Sequence, residues 1–547
     1  MKFRLLFSAA LIAASLSAQV TFDRLQKTDQ EPQNWLTYSG NNLGQRYSAL
    51  TQLTPSNIGN LEMKWAFQAR SLEKFESTPL VVDGIMYVTQ APNDIVALDA
   101  VTGKTFWVYN YTPSTDSRPC CGRVNRGVAI LGNTLFMATL DAHLVAVDAT
   151  SGRPIWNTEV ASAKAGYAMT LAPLVVKDKI ITGVAGGEYG IRGFIAAYDA
   201  KTGKQAWRFY TIPGPGEPGH ESWAGDSWQH GGAPVWLTGS YDASTNLTYW
   251  GVGNPGPDYG GKIRGGDNLY SDCVVALDAD TGKLKWYFQF TPHDVYDYDS
   301  VQVPVLADID WKGKDGQTKP RKVMLWGNRN GYFYTIDRTT GEFLLGKPYS
   351  TVTWSKGLDE RGRPMRLASD NPVGGGPAIY PGPIGATNWY SPSFSPRTGL
   401  FYISAWDNYH ANFQETPGDF KEGSNYMGGR GVSSMTGALR GPQVVKQKEE
   451  NGYGTVRAID PKTGEKKWEF KMADVTSSGL LTTATDLLFT GSREGYFAAL
   501  DARNGNVLWK VTVGGEIAMG PITYQVNGKQ YVAFSAGSSL FTFALRN

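Results

Sequence analysis

Short apolar runs of strand length alternate with turn residues along most of the chain, and they recur in a fixed frame, Ala-x-Asp-x-x-x-Gly-x-x-x-Trp. Because Asp caps a turn and Gly adopts a positive φ without strain, each frame predicts a β-hairpin whose Trp packs against the next unit. The frame occurs at Ala97–Trp107, Ala146–Trp156, Ala197–Trp207, Ala276–Trp286, Ala458–Trp468 and Ala499–Trp509, and a seventh copy at Thr335–Leu345 keeps the Asp and Gly without the Trp.

A second hairpin precedes most of these frames, for example in TPLVVDGIMYVT. Two hairpins make a four-stranded sheet, and a repeat of roughly 40–50 residues is typical of a propeller blade. The C-terminal tail supplies three further strands, and an isolated strand at 61–69 supplies the fourth. Residues 19–547 are therefore predicted to form an all-β, eight-bladed propeller closed by strands from both ends of the chain, with residues 406–454 as a long loop insertion.

The N-terminus begins MKFRLLFSAALIAASLSAQ, with Lys2 and Arg4 before an apolar run from Leu5 to Leu16. This pattern predicts a secretory signal peptide over residues 1–18. A membrane anchor is the alternative, but the run is shorter than the ~20 residues that a bilayer requires. The mature protein is thus expected to be exported to the periplasm, where disulfides persist.

Composition and the absence of certain motifs argue against several classes of ligand and cofactor. The net charge is +2 and charged residues make up 19%, so no nucleic-acid surface is predicted. No Gly-x-Gly-x-x-Gly follows a strand, which argues against a nicotinamide cofactor. No Cys-x-x-Cys-His sequence is present, so the chain carries no haem attachment motif.

Two of the three cysteines, Cys120 and Cys121, are adjacent in RPCCGRVNRG. They pair with each other, or one of them pairs with Cys273. The adjacent cysteines, the Trp-docked frame, the ring of eight and the leader together resemble the pyrroloquinoline quinone (PQQ)-dependent alcohol dehydrogenases, the methanol dehydrogenase-like quinoproteins. The resemblance runs from NWLTYSGNNLGQRYSAL to the C-terminus.

That resemblance implies a site for PQQ. It implies a disulfide between Cys120 and Cys121 against one face of the quinone, with Trp236 on the opposite face. It places Arg329 near the reactive carbonyl, as a catalytic residue. The other implied cofactor contacts are Glu76, Arg126, Thr170, Ala185, Gly186, Gly187 and Asn388.

The resemblance also implies a metal ion held by Glu188, Asn254, Asp297 and Asp299. Carboxylate and amide oxygens suit a hard cation such as Ca²⁺ or a lanthanide(III) ion. In an extended segment Asp297 and Asp299 would face the same side, with Tyr298 opposite. A second aspartate goes with lanthanide-dependent members of the family, so a lanthanide is preferred here, with Ca²⁺ as the alternative.

The implied reaction is oxidation of an alcohol to an aldehyde or ketone. Asp297 would act as general base and hydride would pass to C5 of PQQ, with a soluble c-type cytochrome as electron acceptor. Ser477 stands where methanol dehydrogenases have a Trp, while Ala185 and Pro234 replace a Ser and a Thr. These departures predict a roomier pocket and a substrate larger than methanol.

Two other functions remain open from the sequence. A related quinoprotein could act on sugars or polyols, and the loop 406–454 would decide that specificity. A non-catalytic propeller scaffold would use the same blades, but it would not need Cys120, Glu188, Asp297 and Arg329 together. A homodimer is possible, and the sequence leaves the oligomeric state open.

Overall fold

The fold was obtained as a computed structural model that describes residues 19–313, 315–367, 376–435 and 449–546. The described residues form eight blades, each a four-stranded antiparallel sheet, and one of them carries an additional parallel edge strand; this confirms the predicted eight-bladed β-propeller. The predicted signal peptide, residues 1–18, lies outside the described residues. No described helix is long and apolar enough to cross a membrane.

Blades one to four are built from consecutive strands. Their strands are Leu80–Val82, Ile85–Gln90, Asp94–Asp99 and Thr105–Tyr109; Ala129–Leu131, Thr134–Ala138, His143–Asp148 and Pro154–Glu159; Leu174–Val176, Lys179–Gly183, Phe194–Asp199 and Gln205–Tyr210; Ser240–Asp242, Leu247–Gly251, Cys273–Asp278 and Leu284–Gln289.

Blades five to eight complete the ring. Their strands are Val305–Lys312, Thr318–Gly327, Tyr332–Asp337 and Phe343–Pro348; Ser393–Ser395, Leu400–Asp407, Tyr453–Ile459 and Lys466–Lys471; Leu481–Thr483, Leu487–Gly491, Tyr496–Asp501 and Val507–Thr512, edged by Tyr47–Ser48; Ile522–Val526, Lys529–Ala536, Ser539–Leu545 and Leu61–Gln68. The last set confirms that the orphan N-terminal strand pairs with the C-terminal tail.

Smaller elements decorate this ring. Two hairpins, Ser355–Leu358 with Pro364–Arg366 and Ala411–Glu415 with Gly429–Ser433, lie outside the blades. One short α-helix spans Phe22–Gln26. The 3-10 helices are Thr28–Gln30, Ile58–Asn60, Ala163–Ala165, Gly187–Tyr189, His220–Ser222, Ser227–His230, Gly261–Arg264 and Glu449–Asn451.

The predicted loop insertion is partly ordered structure. Strand Leu400–Asp407 continues into it and strand Tyr453–Ile459 begins before its end, so the excursion itself lies between Asp407 and Tyr453. Within it, the hairpin of Ala411–Glu415 and Gly429–Ser433 satisfies backbone groups that an open loop would expose. Residues 436–448 lie outside the described residues.

The recurring tryptophans join neighbouring blades as the sequence predicts. Trp156 of blade two donates from Nε1 to the Ala200 carbonyl of blade three at 3.1 Å. Its indole packs so tightly that a Cβ added at Gly203, where φ is 67°, would lie 2.7 Å from the ring. Only glycine fits that position, because both space and φ exclude a side chain.

Candidate active site at one end of the propeller

All the predicted site residues lie at one end of the propeller. In an antiparallel blade, the start of the first strand and the connection from the second strand to the third are at the same end. Arg126, Asp297 and Asn388 precede first strands, whereas Glu188 and Arg329 lie in connections from second to third strands. The Asp-x-x-x-Gly turns join third to fourth strands and therefore lie at the opposite end.

Arg329 is the centre of the polar cluster. Its Nη1 donates to Asp299 Oδ2 at 2.7 Å and its Nη2 to Asp297 Oδ1 at 3.2 Å. Nη2 also donates to the Pro383 carbonyl. Arg329 is buried, and its contacts bring two carboxylates from one blade and a carbonyl from the next to a single guanidinium.

The two aspartates meet there for a reason other than strand alternation. Asp297 has a φ of 64°, in the left-handed region, so the chain is not extended at this residue and the prediction of an extended segment is wrong. Tyr298 nevertheless points away, and its hydroxyl donates to the Pro381 carbonyl at 2.5 Å. The left-handed residue redirects the chain, which leaves both carboxylates on Arg329.

The two carboxylates differ in exposure and in partners. The Asp299 side chain is 8% exposed; its Oδ1 accepts from the Asn254 backbone N–H at 2.8 Å and its Oδ2 from Trp236 Nε1 at 3.2 Å. The Asp297 side chain is 23% exposed, and its Oδ2 accepts only a long bond, 3.3 Å, from the Tyr259 hydroxyl. Asp297 is thus the more accessible carboxylate.

Burial raises the pKa of Asp297 well above its ordinary value, although the nearby Arg329 opposes this shift and the charges of Asp299 and Asp258 add to it. Burial, together with the charge of Asp299, raises the pKa of Glu188 to about 7. Negative charge at this end of the propeller therefore exceeds what Arg329 balances.

A second cluster surrounds Arg126. Its Nη2 pairs with Glu76 Oε2 at 2.8 Å and its Nη1 donates to Thr170 Oγ1 at 2.9 Å. The guanidinium lies 5.2 Å from the centre of the Trp236 ring and 5.0 Å from that of Trp389. Arg126 Nε is buried without a hydrogen-bond partner among the described residues, which leaves a donor for a ligand.

Cys120 and Cys121 form a disulfide, with their Cα atoms 3.8 Å apart, and Cys273 is a buried free thiol. The pair is exposed at the mouth of the site. Both sulfur atoms lie within 4.8 Å of a Glu188 carboxylate oxygen. Because both sulfurs are bonded to each other, this trio is not a metal site, and within the described ranges no other trio of such ligand atoms is as close.

The remaining predicted residues have mainly local roles in this structure. A Cβ at Gly186 would lie 2.1 Å from the Gly166 carbonyl, and one at Gly187 would lie 3.0 Å from Pro234. Ala185 pairs through its backbone with Ala168. Asn388 donates to the Ile384 carbonyl and accepts from the Trp389 N–H, both at 2.9 Å, so it fixes the loop that carries Trp389.

Four site residues were not predicted from the sequence: Asp258, Tyr259, Pro383 and Trp389. Asp258 ends the motif GVGNPGPD that contains Asn254, so its spacing offered a hint. The other three are aromatic or proline residues in loops, and nothing in their spacing distinguishes them from packing residues. Aromatic side chains including Trp389, Tyr390, Trp406 and Tyr409 form a cluster next to this end.

The residues present fit a quinone with acidic groups and a hard cation. Arg126 and Thr170 are donors for carboxylates, and the free Nε of Arg126 is an unsatisfied buried donor. Glu188, Asn254, Asp297 and Asp299 are oxygen ligands, and Asp258 Oδ1 is buried there without a partner. A cation would neutralise this excess of buried carboxylates.

Comparison with known proteins gives concordant results. The family model described as "Glucose/ethanol/alcohol dehydrogenase, beta-propeller domain" matches residues 35–364. A second model, "Outer membrane protein assembly factor BamB", matches residues 452–545.

Curated relatives match over nearly the whole chain. Quinoprotein alcohol dehydrogenase PedH of Pseudomonas putida is 37% identical over 97% of this chain and 91% of its own. Lanthanide-dependent methanol dehydrogenase of Methylacidiphilum fumariolicum is 35% identical over 98% and 90%. A solved structure titled europium-containing methanol dehydrogenase superposes with a TM-score of 0.88 and 31% identity, covering 96% of this chain and 100% of that one.

Proposed function

The chain belongs to the PQQ-dependent alcohol dehydrogenase family, and on that premise we propose that it oxidises alcohols larger than methanol to aldehydes or ketones in the periplasm. One observation carries the proposal: Asp297 and Asp299, with Arg329 from the neighbouring connection, form a single buried cluster beside Glu188 and Asn254.

The cofactor would be held by two sets of residues. Arg126 and Thr170 would bind acidic groups of PQQ, with Glu76 balancing the charge of Arg126. The Cys120–Cys121 disulfide and the Trp236 indole would lie on opposite faces of the ring, which restricts a flat molecule to one plane. Gly186 and Gly187 would shape the floor of this pocket, because side chains there have no room.

Glu188, Asn254, Asp297 and Asp299 would hold the metal. When bound, PQQ supplies an acceptor for the hydride that leaves the alcohol carbon, and the metal supplies a Lewis acid at the quinone. The relatives include a lanthanide-dependent enzyme, and Asp299 adds a negative charge to the site. We therefore prefer a lanthanide(III) ion, with Ca²⁺ as the alternative.

Asp297 would be the general base. Its Oδ2 has only the long bond from Tyr259 and is the atom to accept the hydroxyl proton of the alcohol. Arg329 favours the ionised carboxylate through its contact with Oδ1. The same guanidinium would stabilise negative charge that develops on the reacting oxygens, since it is held by Asp299 and Pro383 and need not reorganise.

Substrate size would be set by the aromatic cluster and Ser477. Ser477 is small and buried, and it lies next to the Tyr390 side chain. Trp389, which is partly exposed, presents a flat apolar surface at the same end, and the buried Trp406 belongs to the same cluster. This lining favours alcohols with an apolar or aromatic part over sugars and polyols, because a polyol would bury hydroxyl groups with few partners.

Electrons would leave to a separate soluble c-type cytochrome. The exposed disulfide lies at the mouth of the site, which is consistent with transfer to a partner that docks at this end. We also propose that the protein is exported, that this cytochrome is its electron acceptor and that it can form a homodimer.

Reconstitution tests the function directly. The purified protein would receive PQQ with La³⁺, with Ca²⁺ or with no metal, and dye-linked oxidation of primary, secondary and aromatic alcohols would be followed. Activity with La³⁺ above that with Ca²⁺ supports the proposal. Activity with Ca²⁺ alone would reject the metal assignment, and failure to bind PQQ or to oxidise any alcohol would favour a non-catalytic scaffold.

Asp297→Asn tests the base. We expect kcat to fall by about 10²–10⁴-fold, because the amide cannot accept the hydroxyl proton, while bound PQQ measured by absorbance stays the same. Asp310→Asn, on an exposed position of blade five, is the matched control and should leave kcat unchanged. A normal kcat in the Asp297→Asn enzyme would show that another group accepts the hydroxyl proton of the alcohol.

A further inference from the structure

Asp258 is a buried carboxylate that the proposed metal set does not include. It lies in the connection between strands Leu247–Gly251 and Cys273–Asp278, four residues after Asn254. The residue is 2% exposed, and its Oδ1 is buried without a hydrogen-bond partner. A buried carboxylate oxygen without a partner is costly, so its retention beside a proposed cation site indicates a ligand-related role.

The backbone at Asp258 is fixed by Arg264. Arg264 Nε donates to the Pro257 carbonyl and Nη2 to the Asp258 carbonyl, each at 3.2 Å, and Nη2 also donates to the Asp294 carbonyl. These bonds tie the Asn254 loop to the Asp297 loop. They use main-chain oxygens, and in the described parts of the chain no ion pair is made to the Asp258 carboxylate.

The Asp258 side chain faces the proposed metal ligands. Its carboxylate lies beside the Asn254 side-chain amide and within electrostatic range of Glu188 and Asp299. Asn254 Nδ2 donates to the Pro255 carbonyl at 3.3 Å. The Pro255 carbonyl and the neighbouring Asp258 carboxylate both favour the N–H side of the amide toward them, so Asn254 Oδ1, the atom that can bind a cation, remains available.

We propose that Asp258 is a positioning residue of the metal site: it orients the Asn254 amide and adds a fourth carboxylate charge that selects a trivalent over a divalent cation. This inference rests on the proposed function. Glu188, Asp258, Asp297 and Asp299 would face the ion together, with Arg329 as the cation that contacts two of them.

The selectivity follows from charge. The attraction of a carboxylate for an ion scales with the charge of the ion, so removing one carboxylate weakens binding of a trivalent ion more than that of a divalent ion of similar size. Within several ångströms and at an effective dielectric constant near 20, one additional unit of ionic charge corresponds to about tenfold or more in affinity. La³⁺ and Ca²⁺ are a suitable pair because both prefer oxygen ligands.

The test measures La³⁺ and Ca²⁺ binding to the full-length PQQ-loaded protein by calorimetry. Asp258→Asn keeps an acceptor for Asn254 and removes only the charge, so the ratio of La³⁺ to Ca²⁺ affinity should fall about tenfold or more. Asp258→Ala also removes the polar group beside the Asn254 amide and should weaken the binding of both ions. Asp258→Glu should restore much of the preference for La³⁺. Asp226→Asn, at an exposed position, should change neither affinity.

The outcomes separate this inference from the proposed function. If the unaltered protein binds PQQ and a metal, but Asp258→Asn keeps the same affinity ratio, the inference is overturned while the metal site stands. An equal loss for both ions in Asp258→Asn would also overturn it and would indicate a structural role. If the unaltered protein binds neither ion, the proposed metal site fails and the inference with it.

Discussion

Individual residues of the site are placed by neighbours that belong to different blades. Arg329 holds Asp297 and Asp299, while its own position is fixed by packing against Gly385, where a Cβ would lie 2.5 Å from the arginine Cβ. The catalytic geometry therefore depends on contacts that are distant in sequence. A small residue such as Gly385 is as necessary to it as the charged groups.

The Cys120–Cys121 disulfide should matter for cofactor retention and not for stability. A bond between adjacent residues closes almost no loop, so it lowers the entropy of the unfolded chain very little and adds little to the stability of the fold. We expect the double variant Cys120→Ser with Cys121→Ser to unfold within about 1 kcal/mol of the parent while losing affinity for PQQ. Thermal unfolding of the metal-free protein and PQQ titration by fluorescence check the two halves.

Cys273→Ser is the control for that variant. Cys273 is a buried thiol away from the disulfide, so its replacement should affect stability without affecting PQQ titration. A large loss of stability in the double serine variant would show that the adjacent disulfide has a structural function. Unchanged PQQ affinity would remove it from the cofactor site.

At the scale of elements, the docking tryptophans offer a comparison within one molecule. Trp156 Nε1 donates to the Ala200 carbonyl at 3.1 Å, whereas Trp286 Nε1 is buried without a hydrogen-bond partner among the described residues. In the frame that Trp286 packs against, Arg338 stands where Ala200 stands in the other. The Arg338 carbonyl instead accepts from the Tyr249 hydroxyl at 2.9 Å. The two indoles pack alike on Gly203 and Gly341 but differ in hydrogen bonding.

Replacing each of these tryptophans by Phe should separate the hydrogen bond from the packing. Trp156→Phe loses the hydrogen bond as well as part of the ring, whereas Trp286→Phe removes a donor that is already unsatisfied. We expect Trp156→Phe to be more destabilising by about 1 kcal/mol, measured by denaturant unfolding. Equal losses would show that the indole hydrogen bond contributes nothing net to blade docking.

The ion pair at the end of strand Leu400–Asp407 predicts a pH dependence. Burial alone would raise the pKa of Asp407, but the Arg457 guanidinium and the Thr351 donors outweigh it and lower the pKa to about 2. A lowered pKa stabilises the folded state above the ordinary value near 4, and this contribution is lost as the pH falls from about 4 to about 2.

Asp407→Asn should therefore cost about 2–3 kcal/mol at neutral pH, and the difference from the parent should shrink below pH 4. The unfolding midpoint of both proteins, measured between pH 2 and pH 7, checks this. A pH-independent difference would mean that the side chain acts through its hydrogen bonds to Ser350 and Thr351 and not through its charge.

At the scale of the whole molecule, the repeated frame allowed the propeller architecture to be predicted from the sequence. The Asp, Gly and Trp positions determine a turn and a docking contact locally, so seven blades followed from spacing, and the unpaired strand Leu61–Gln68 indicated the eighth. The roles of the site residues could not be predicted from the repeat. Cys120 and Cys121 pointed to a family, and the family then supplied the roles of Arg126 and Asp297.

Contacts between blades explain what the sequence could not provide. Asp258 and Tyr259 reach Glu188 and Asp297 only because the ring brings separate connections to one end. The wrong expectation of an extended Asp297 segment has the same origin. Alternation describes a strand, whereas this segment is irregular, with a left-handed Asp297, and is held by its neighbours, including the bonds from Tyr296 and Tyr298 N–H to Asp294.

The ring closure itself makes a final prediction. Strand Ser539–Leu545 pairs with Lys529–Ala536 on one side and with Leu61–Gln68 on the other. Deleting residues 539–547 would expose two strand edges and leave Trp65, which docks on Gly103 of blade one, without its sheet. A protein ending at residue 538 should aggregate or form larger assemblies, whereas one ending at residue 545 should remain like the parent.

Light scattering with size-exclusion chromatography would distinguish these proteins. PQQ titration would show whether the cofactor site at the end of the propeller is still intact. Loss of PQQ binding is expected with the deletion, since Glu76 lies at the start of blade one, next to the opened seam, and pairs with Arg126. A truncated protein that stayed unchanged in size and bound PQQ normally would mean that seven blades hold the ring without the closing strand. That result would indicate that the tryptophan contacts between blades stabilise the ring, because the deletion does not remove those contacts in the other blades.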